Sequence, residues 1–378
     1  MRTMKLIGKG LLVLLLILVA FVAIYAIYMQ SHYYRIPDHQ KLPVGNDSSR
    51  ILQPGKLYTA TTYNVGFGAY NQHYTFFMDN GQYKPGFRGG KKTRGKYGKA
   101  VSKQAVLDST NGVARTIKRQ RADFMLFQEI DTNSTRSYHV NQVRRMEQAF
   151  PEAGHVFAKN FHQPYILVPP QDPHGAVQSG ILTLSRYHIS SAVRRKYPID
   201  MHFIAKFVDL DRCFAVMRLP VKGGHQLILI NSHMSAYDKG GRMRKLQMSL
   251  LGNFIKHEYK NGNYVIVGGD YNHALGDAML HHFKTKEELP SWISVLNDSM
   301  LPKQFHIVKA ENRDSVPTVR STDITYQPGV NYYSVIDGFI VSKNVTAHTH
   351  NLNTHFKYSD HNPVKMTFEL QPEGAANR

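Results

Sequence analysis

The sequence predicts an α+β sandwich, in which helices cover packed β-sheets, preceded by a single membrane-spanning helix. The 378 residues are 42% hydrophobic and 11% aromatic, which is enough apolar material to bury a large core. From residue 57 to residue 370, many short apolar runs alternate with a few helical patterns, and no segment repeats. Many strands with few helices are typical of packed sheets that are flanked by helices.

The first element is an uncharged run over residues 10–29, GLLVLLLILVAFVAIYAIYM. A helix of this length spans roughly 30 Å, the thickness of the hydrocarbon core of a membrane. The run is long for a secretory signal and no A-x-A cleavage site follows it, so we expect an uncleaved signal anchor. Arg2, Lys5 and Lys9 precede it and favour a cytoplasmic N-terminus, residues 1–9. The sequence therefore predicts a single-pass protein of the cell membrane, with the rest of the chain outside the cytoplasm.

The remaining chain divides into three predicted parts. Residues 30–55 are polar with scattered proline and glycine, and we expect a tether; residues 56–370 form one domain, and 371–378 form a tail. A helix is predicted over residues 100–119, and another where Leu246, Leu250 and Phe254 recur at helical spacing. Strands are predicted at residues 57–64, 123–129, 179–185, 212–219, 225–232, 263–270, 334–342 and 363–370.

The chain is strongly basic. Lysine and arginine number 47 against 27 acidic residues, a net charge of +20, and the pI is about 9.8. This excess favours a polyanionic partner, either nucleic acid or an anionic membrane surface, although a basic chain is also compatible with a role in solubility alone. Cys213 is the only cysteine, which excludes a disulfide framework and a cysteine-based zinc site.

Eight of the basic residues fall in one segment, residues 84–104, which contains no acidic residue and begins rich in glycine and proline. That composition predicts a mobile loop leading into the first helix of the domain. Two interpretations remain open at this stage: a solvated surface loop with no special partner, or a loop that contacts the substrate.

Polar side chains at the ends of predicted strands suggest a catalytic site. Glu129 directly follows an apolar run, a costly position for a carboxylate unless it binds something. Asp270 and Asn272 are expected on the same side of an extended segment. Phosphoester hydrolysis needs a hard cation and a positioned water, and Mg²⁺ takes oxygen ligands. The candidate site residues are Asn64, Glu129, His233, Asp270, Asn272, Asp337, Asp360 and His361.

The order of these motifs resembles the endonuclease/exonuclease/phosphatase superfamily. Six motifs follow one another between about residues 57 and 370: T-x-N, Q-E, N-S-H, G-D-x-N, I-D-x-F and S-D-H-x-P-V. SGILTLSRYHI at 179–189 and the pair Arg244 and Gln247 are also similar to segments of that family, but His188 stands where the family usually has proline. Gly66 replaces an acid found in several members, which puts a second ligand there in doubt. The resemblance implies a deoxyribonuclease I-like fold of two packed, mainly antiparallel sheets.

The resemblance also implies roles for the candidate residues. Glu129, with help from Asn64 and a contribution from Asp360, would hold Mg²⁺, with Mn²⁺ as a possible substitute. Asp270 would orient or deprotonate the attacking water, and Asn272 would bind a phosphate oxygen or assist the metal. His361 would contact the scissile phosphate, and Asp337 would orient His361. His233 would be a second active-site histidine, whose partner cannot be named from the sequence.

The function predicted from these features is Mg²⁺-dependent phosphodiester hydrolysis of nucleic acid by a membrane-anchored enzyme. In the superfamily fold the segment after the first strand leaves from the catalytic face, which would place residues 84–104 near the phosphate. The alternative is a lipid phosphodiesterase or a phosphatase of the sphingomyelinase or phosphoinositide type. A third possibility is a non-catalytic surface protein that binds polyanions. No obligate protein partner is predicted.

Overall fold

The computed structural model describes residues 2–202, 205–236 and 242–372. The helices are α1 (Arg2–Ser31), α2 (Lys103–Lys118), α3 (Gln142–Ala149), α4 (Ala205–Val208) and α5 (Arg242–Lys260). The strands are β1 (Gln40–Lys41), β2 (Leu57–Asn64), β3 (Asn80–Gln82), β4 (Lys92–Arg94), β5 (Phe124–Asp131), β6 (Gly154–Ile166), β7 (Gly175–Ser185), β8 (Ser191–Lys196), β9 (Cys213–Pro220), β10 (Gln226–His233), β11 (Tyr264–Asp270), β12 (Ala274–Leu275), β13 (Val295–Leu296), β14 (Phe305–Ile307), β15 (Val319–Arg320), β16 (Tyr333–Ser334), β17 (Asp337–Ser342), β18 (Val345–Asn351) and β19 (Val364–Leu370).

Two large sheets form the body of the domain. One has seven strands in the order β1-β8-β9-β10-β11-β17-β14, and the other has six in the order β18-β19-β2-β5-β7-β6. Pairing is antiparallel except between β10 and β11 in the first sheet and between β2 and β5 in the second. The predicted fold class, two packed and mainly antiparallel sheets with flanking helices, is confirmed.

Apolar side chains fill three layers around the sheets. Between the two sheets, the six-stranded sheet contributes residues such as Leu126, which meet residues such as Leu229 from the seven-stranded sheet. On the outer face of the seven-stranded sheet, α5 buries Leu251 and its neighbours. On the outer face of the other sheet, α2 and α3 bury Val113 and Met146. The order of layers is therefore helix, sheet, sheet, helix, and central strands such as β11 are buried along their whole length because both of their faces are covered.

The strand ends of both sheets meet at one edge of the sandwich. The parallel strands β10 and β11 end side by side at His233 and Asp270, and antiparallel β17 begins opposite, with Asp337 paired to Asp270. In the other sheet β2 ends at Asn64, beside the parallel strand β5 that carries Glu129. Polar residues at the ends of several strands are thereby brought to one place.

A buried amide network joins the two sheets directly beneath that edge. Gln128 on β5 donates to Asn231 on β10 at 2.7 Å, and it also bonds Thr62 on β2. The Asn231 amide in turn donates to the carbonyl oxygens of Phe127 and Leu182 at 3.2 and 3.1 Å. Buried polar groups stabilise a fold only when they are satisfied in this way, so the network favours one alignment of the sheets.

Residues 30–55 do not form the predicted tether, because much of this segment packs against the domain. β1 pairs with β8 at the edge of the seven-stranded sheet, and Leu52 is fully buried in the core between the sheets. Arg35 donates through Nε to Asp211 at 2.7 Å, and the backbone N–H of Ile36 donates to the same carboxylate at 2.6 Å. The polar composition of the segment reflects a chain that follows the surface of the sheet.

Residues 84–104 also differ from the prediction of a mobile loop. They include β4, which pairs with β3 in a small ribbon, and the Lys84 backbone N–H donates to the carbonyl oxygen of Lys286 at 2.8 Å. Thr93 forms a short hydrogen bond to the Asp323 carboxylate, which is buried. The glycines of the segment lie in the turns of this packed ribbon, and the lysine side chains project from the ribbon.

Helix α1 is the one helix in the described part of the chain that is long and apolar enough to cross a membrane. All of its leucines are more than half exposed, so the domain does not bury this helix. Only its last turns touch the domain, where Met29 packs with Ile166 and Phe207. By length and composition the helix fits either a membrane anchor or a signal sequence.

We predict that Asn231→Ala lowers the free energy of unfolding by about 3 kcal/mol or more, because it removes several buried hydrogen bonds and leaves Thr62 as the remaining partner of the Gln128 amide. Chemical denaturation of the full chain in detergent would measure this. Asn261→Ala is the matched control, since Asn261 is exposed. Equal stability of the two variants would show that the amide network does not hold the sheets together.

Candidate active site

Asp270 lies at the centre of the clustered polar residues. Its Oδ2 accepts from the Asn64 amide at 3.0 Å, and its Oδ1 accepts from the backbone N–H of Asn272 at 2.8 Å. The same Asn64 amide donates to Glu129 Oε1 at 3.3 Å, so one side chain spaces two carboxylates. Burial and the nearby Asp337 raise the pKa of Asp270 to about 6, against the lowering effect of His361.

Two of these residues owe their positions to unusual backbone conformations. Glu129 lies in a bulge of β5 with φ of 51°, which turns its side chain into the site while its neighbours Gln128 and Ile130 are buried. Asn272 has φ of 52°, so it does not continue an extended segment as predicted from the alternation of side chains. It nevertheless lies beside Asp270, because the left-handed turn brings its backbone N–H back to that carboxylate. Strained conformations of this kind are concentrated at functional sites.

His361 and Asp337 form a buried pair on the opposite side of Asp270. His361 Nδ1 lies 2.8 Å from Asp337 Oδ2, and its Nε2 lies 3.9 Å from Asp270 Oδ2. Burial alone would keep the imidazole neutral, but Asp337 and Asp360 outweigh burial and raise the pKa of His361 to about 10. The ring is therefore an imidazolium at neutral pH, with Nδ1 committed to Asp337.

His233 is fully buried behind the site and does not line the catalytic cavity. The Arg212 guanidinium donates through Nη1 to His233 Nε2 at 2.6 Å, and Asn160 lies 3.5 Å from Nδ1. Because arginine only donates, Nε2 must be the acceptor and the proton must be on Nδ1. Burial and Arg212 hold the pKa of His233 far below its usual range, so the ring is neutral. Arg212 lines the cavity, so His233 contacts a cavity residue from behind, and its Nε2 also lies 3.6 Å from Asp270 Oδ2.

Asp360 completes the set on the side of the cavity opposite His233. Burial raises its pKa to about 7; His361 and Arg320 oppose that rise, while Glu129 adds to it. Both Asp360 and Glu129 line the cavity, and each raises the energy of the other's charged form.

These residues fit a divalent cation. The facing carboxylates of Glu129 and Asp360 are hard oxygen donors, the kind that Mg²⁺ prefers. Ligand atoms of Asp270, Asp337 and His361 also lie within 4.8 Å of one another, so this buried group could hold a metal ion as well. Asn64 differs from its predicted role, because its amide nitrogen faces the carboxylates while its Oδ1 accepts from the Gly66 backbone N–H at 3.0 Å.

The site opens into a cavity of about 430 Å³. The candidate site residues that line it are Glu129, Asp270, Asn272, Asp360 and His361. The lining also includes the apolar side chains of Phe77, Met78, Phe161, Ile166, Val168, Leu210 and Trp292, together with the cations Arg136, Arg212 and Arg320. None of the eight basic residues of segment 84–104, all of them described, lines this cavity. The basic side chains of the segment therefore do not form the cavity lining, although Gly98 of the same segment bonds His174, which does.

Sequence reasoning missed three cationic or amide residues around the cavity. Arg212 is the first residue of a predicted strand, and Asn160 lies within β6, where nothing in the local pattern marks either as functional. Arg136 is buried against Asp131 at 2.9 Å, and its guanidinium lies 3.8 Å from the centre of the Phe67 ring. The sequence around Arg136, DTNSTRSYHV, is that of a polar loop, so nothing in it indicated that this side chain is buried.

A two-sheet sandwich with carboxylates, amides and a charged histidine gathered at its strand ends defines a phosphoester hydrolase. The sequence profile of the Endonuclease/Exonuclease/phosphatase family matches residues 61–361, and the chain belongs to this family. The match runs from β2 to His361 and therefore includes all eight predicted site residues. A comparison with curated proteins found no match.

Solved structures of this family share the fold. An endonuclease/exonuclease/phosphatase from Beutenbergia cavernae is 14% identical with a TM-score of 0.55, and the match covers 84% of this chain and 72% of that one. A family protein from Leptotrichia buccalis is 13% identical with a TM-score of 0.51, covering 82% and 99%. TDP2 from D. rerio, complexed with single strand DNA product, is 15% identical with a TM-score of 0.50, covering 83% and 99%.

We predict that stability depends on pH through His174, which lines the cavity and donates from Nδ1 to the Gly98 carbonyl oxygen. Burial, followed by Arg136, lowers its pKa in the folded state to about 4 from the usual value of 6.5. Between those values the unfolded chain takes up a proton that the folded protein does not, so stability falls as the pH drops from 6.5 to about 4. This contribution is at most about 3 kcal/mol.

Denaturation of the full chain at pH 7 and at pH 4.5 would test the prediction with His174→Gln, whose amide can still donate to Gly98. The variant should lose less stability than the natural protein over this interval. His306→Gln, at an exposed position, is the control and should change nothing. An identical pH slope in the natural protein and in His174→Gln would rule out this histidine as the source.

Proposed function

We propose that the protein is a metal-dependent phosphoester hydrolase that α1 anchors in a membrane. The observation that carries the proposal is the constellation around Asp270. A carboxylate fixed by Asn64 and Asn272 lies 3.9 Å from a histidine whose other nitrogen is held by Asp337. A base, a cation and further carboxylates in one cavity are what water attack on a phosphoester requires.

Asp270 has the position of the group that orients and deprotonates water. Both of its oxygens accept hydrogen bonds from fixed donors, and the carboxylate borders the cavity. The proton that leaves the attacking water would pass to this carboxylate. Asn272 stands beside it, with its amide donating to the Met234 carbonyl oxygen at 2.8 Å, and fixes the turn that presents Asp270.

His361 has the position of the group that meets the phosphate. Nδ1 is engaged by Asp337, so the Nε2–H of the imidazolium is the donor available to a phosphate oxygen in the cavity. Charge developing on that oxygen during the reaction would be stabilised by a preorganised cation in a buried setting. Arg212, fixed by the neutral ring of His233, brings a second cation to the same cavity.

Glu129 and Asp360 are the residues that would hold the metal, and Asn64 would space Glu129 from Asp270. When bound there, a divalent cation such as Mg²⁺ or Mn²⁺ would neutralise the phosphate and the facing carboxylates. Burial is the main cause of the raised pKa of Asp360 and Glu129 adds to it, so a cation between the two acids would stabilise the charged form of Asp360.

Retention of α1 as a membrane anchor is supported by its contacts with the domain. Lys206 Nζ donates to Gln30 at 2.8 Å, and the Tyr33 ring packs edge-on against Phe207 at 5.5 Å. Removal of the helix as a signal sequence would uncover these apolar side chains. The basic residues ahead of the helix favour a cytoplasmic N-terminus, which would place the domain outside the cytoplasm.

The substrate that the cavity fits best is an amphiphilic phosphoester, that is, a lipid with a phosphate-containing headgroup. The apolar side chains in the cavity lining would cover a hydrocarbon chain beside the candidate site residues. Nucleic acid is the second candidate. It is supported by the net charge of +20 and by the shared fold of the D. rerio TDP2 structure with its single strand DNA product.

We predict that Glu129→Gln, Asp270→Asn and His361→Ala each lower kcat/KM by about 100-fold or more, because each removes a charged group at the reacting centre. Their folds should persist, since all three side chains lie at the edge of the sandwich. Hydrolysis by the full chain in detergent would be measured with Mg²⁺ and with EDTA. Asp277→Asn, at an exposed position, is the control for loss of a carboxylate.

Near-natural activity in any of the three variants, or full activity in EDTA, would refute the proposed mechanism. The same assay separates the substrates when sphingomyelin, phosphoinositides, DNA and RNA are tested in parallel. We expect turnover of a lipid. Cleavage of nucleic acid alone would establish the second candidate, and binding of polyanions without turnover would indicate a non-catalytic surface protein.

A further inference from the structure

The last turns of α1 are docked on the outer side of the cavity wall. The Tyr25 hydroxyl donates to the Tyr165 carbonyl oxygen at 3.1 Å, and the Tyr28 hydroxyl accepts from the Tyr165 backbone N–H at 3.1 Å. Met29 packs against Ile166, and Ile166 also lines the catalytic cavity. A single layer of side chains therefore separates the helix end from the cavity.

Exposed apolar side chains surround this junction, and we call them the apolar rim: Met78, Tyr165, Val168 and Met201, which are 38%, 39%, 51% and 51% exposed. Met78 and Val168 line the cavity, Tyr165 carries the contacts to the helix, and Met201 Sδ accepts from the Tyr33 hydroxyl at 3.7 Å. The rim thus runs from the cavity to the helix end. Apolar patches of this kind mark surfaces that meet a partner or a membrane.

The chemistry around the rim fits the interface of a bilayer. Tyr25, Tyr28 and Tyr33 place apolar rings and polar hydroxyls at the end of the apolar helix, as the aromatic belt of a membrane protein does. Lys206 Nζ lies 5.1 Å from the centre of the Tyr33 ring, a position where a cation can reach lipid headgroups. Because the rim is continuous with the helix, a membrane that holds α1 also reaches the rim.

We propose that the apolar rim lies in the headgroup region of the leaflet at which α1 ends, so that the catalytic cavity receives its substrate from that same leaflet. The docked helix fixes the height of the cavity mouth relative to the bilayer. A lipid would then enter between Met78 and Val168 without crossing water. The entry of substrate rests on the proposed hydrolase function, whereas contact of the rim with the bilayer does not.

Site-specific fluorescence tests the contact directly. Cys213 is buried, so a thiol reagent on the folded chain labels only a cysteine introduced at the surface. The full-length Val168→Cys variant would carry an environment-sensitive fluorophore in vesicles of phosphatidylcholine and phosphatidylglycerol with nitroxide-labelled headgroups. Met300→Cys is the matched control, because Met300 is exposed beside β14, at the opposite edge of the sheet from β1.

We expect the nitroxide lipid to quench the label at residue 168 about threefold more strongly than the label at residue 300, as for a side chain inserted at the interface. The catalytically impaired Glu129→Gln background should give the same difference, which separates contact of the rim from turnover. Equal quenching at the two positions would overturn the proposal even if the enzyme were active. Loss of activity with quenching intact would bear on the proposed function alone.

Kinetics provide an independent measurement. The double change Tyr25→Phe and Tyr28→Phe keeps both rings but removes the hydroxyl contacts to Tyr165 and to the Leu167 backbone N–H. We expect hydrolysis of vesicle lipid to fall about tenfold, since three hydrogen bonds that hold the cavity at the bilayer are lost. Hydrolysis of a water-soluble phosphodiester, bis-p-nitrophenyl phosphate, should be unchanged. Unaltered hydrolysis of vesicle lipid would count against a docked helix as the means of substrate entry.

Discussion

The hydrogen bond between the buried amides of Gln128 and Asn231 is the contact on which the arrangement of the site depends. Each sheet supplies part of the site, so the chemistry requires a fixed register between sheets that are otherwise joined by apolar packing, which is not directional. An amide pair has defined donors and acceptors and therefore selects one alignment. Gln128 precedes Glu129 directly and Asn231 lies two residues before His233, so the alignment is fixed where it is needed.

That fixed alignment forces charged groups together at a cost to stability. Asp270 and Asp360 are held where burial raises the pKa of each, and Glu129 takes a left-handed conformation that β-strand residues seldom adopt. Such features persist only where the surrounding structure over-determines them, and here the two sheets and the amide network do so. The imidazolium of His361 offsets part of the repulsion, which is why Asp337 behind it is buried rather than solvated.

Sequence alone predicted the apolar central strands and the polar residues that cluster at their ends, because both are visible in one dimension, but it missed the less apolar strands β6, β8 and β18. It could not find Arg212 or Asn160, whose roles arise only when β6 and β10 are brought together. The predicted tether was wrong for a similar reason: its composition is that of a loop, but sheet edges and Asp211 hold it. His188 stands where the family usually has proline, and it too is held by residues 30–55. Its backbone N–H, which a proline would lack, donates to the Arg50 carbonyl oxygen at 2.8 Å.

The segment after α1 therefore belongs to the catalytic structure and does not merely suspend it. Arg35 bonds the Asp211 carboxylate at 2.7 Å, and the next residue, Arg212, bonds His233 at 2.6 Å. The ion pair that follows α1 thus fixes the backbone from which a cavity cation projects. A chain cut inside residues 30–55 would lose this support together with the edge strand β1. Because contacts join α1, this segment and the cavity lining, the position of the helix end and the geometry of the site are determined together.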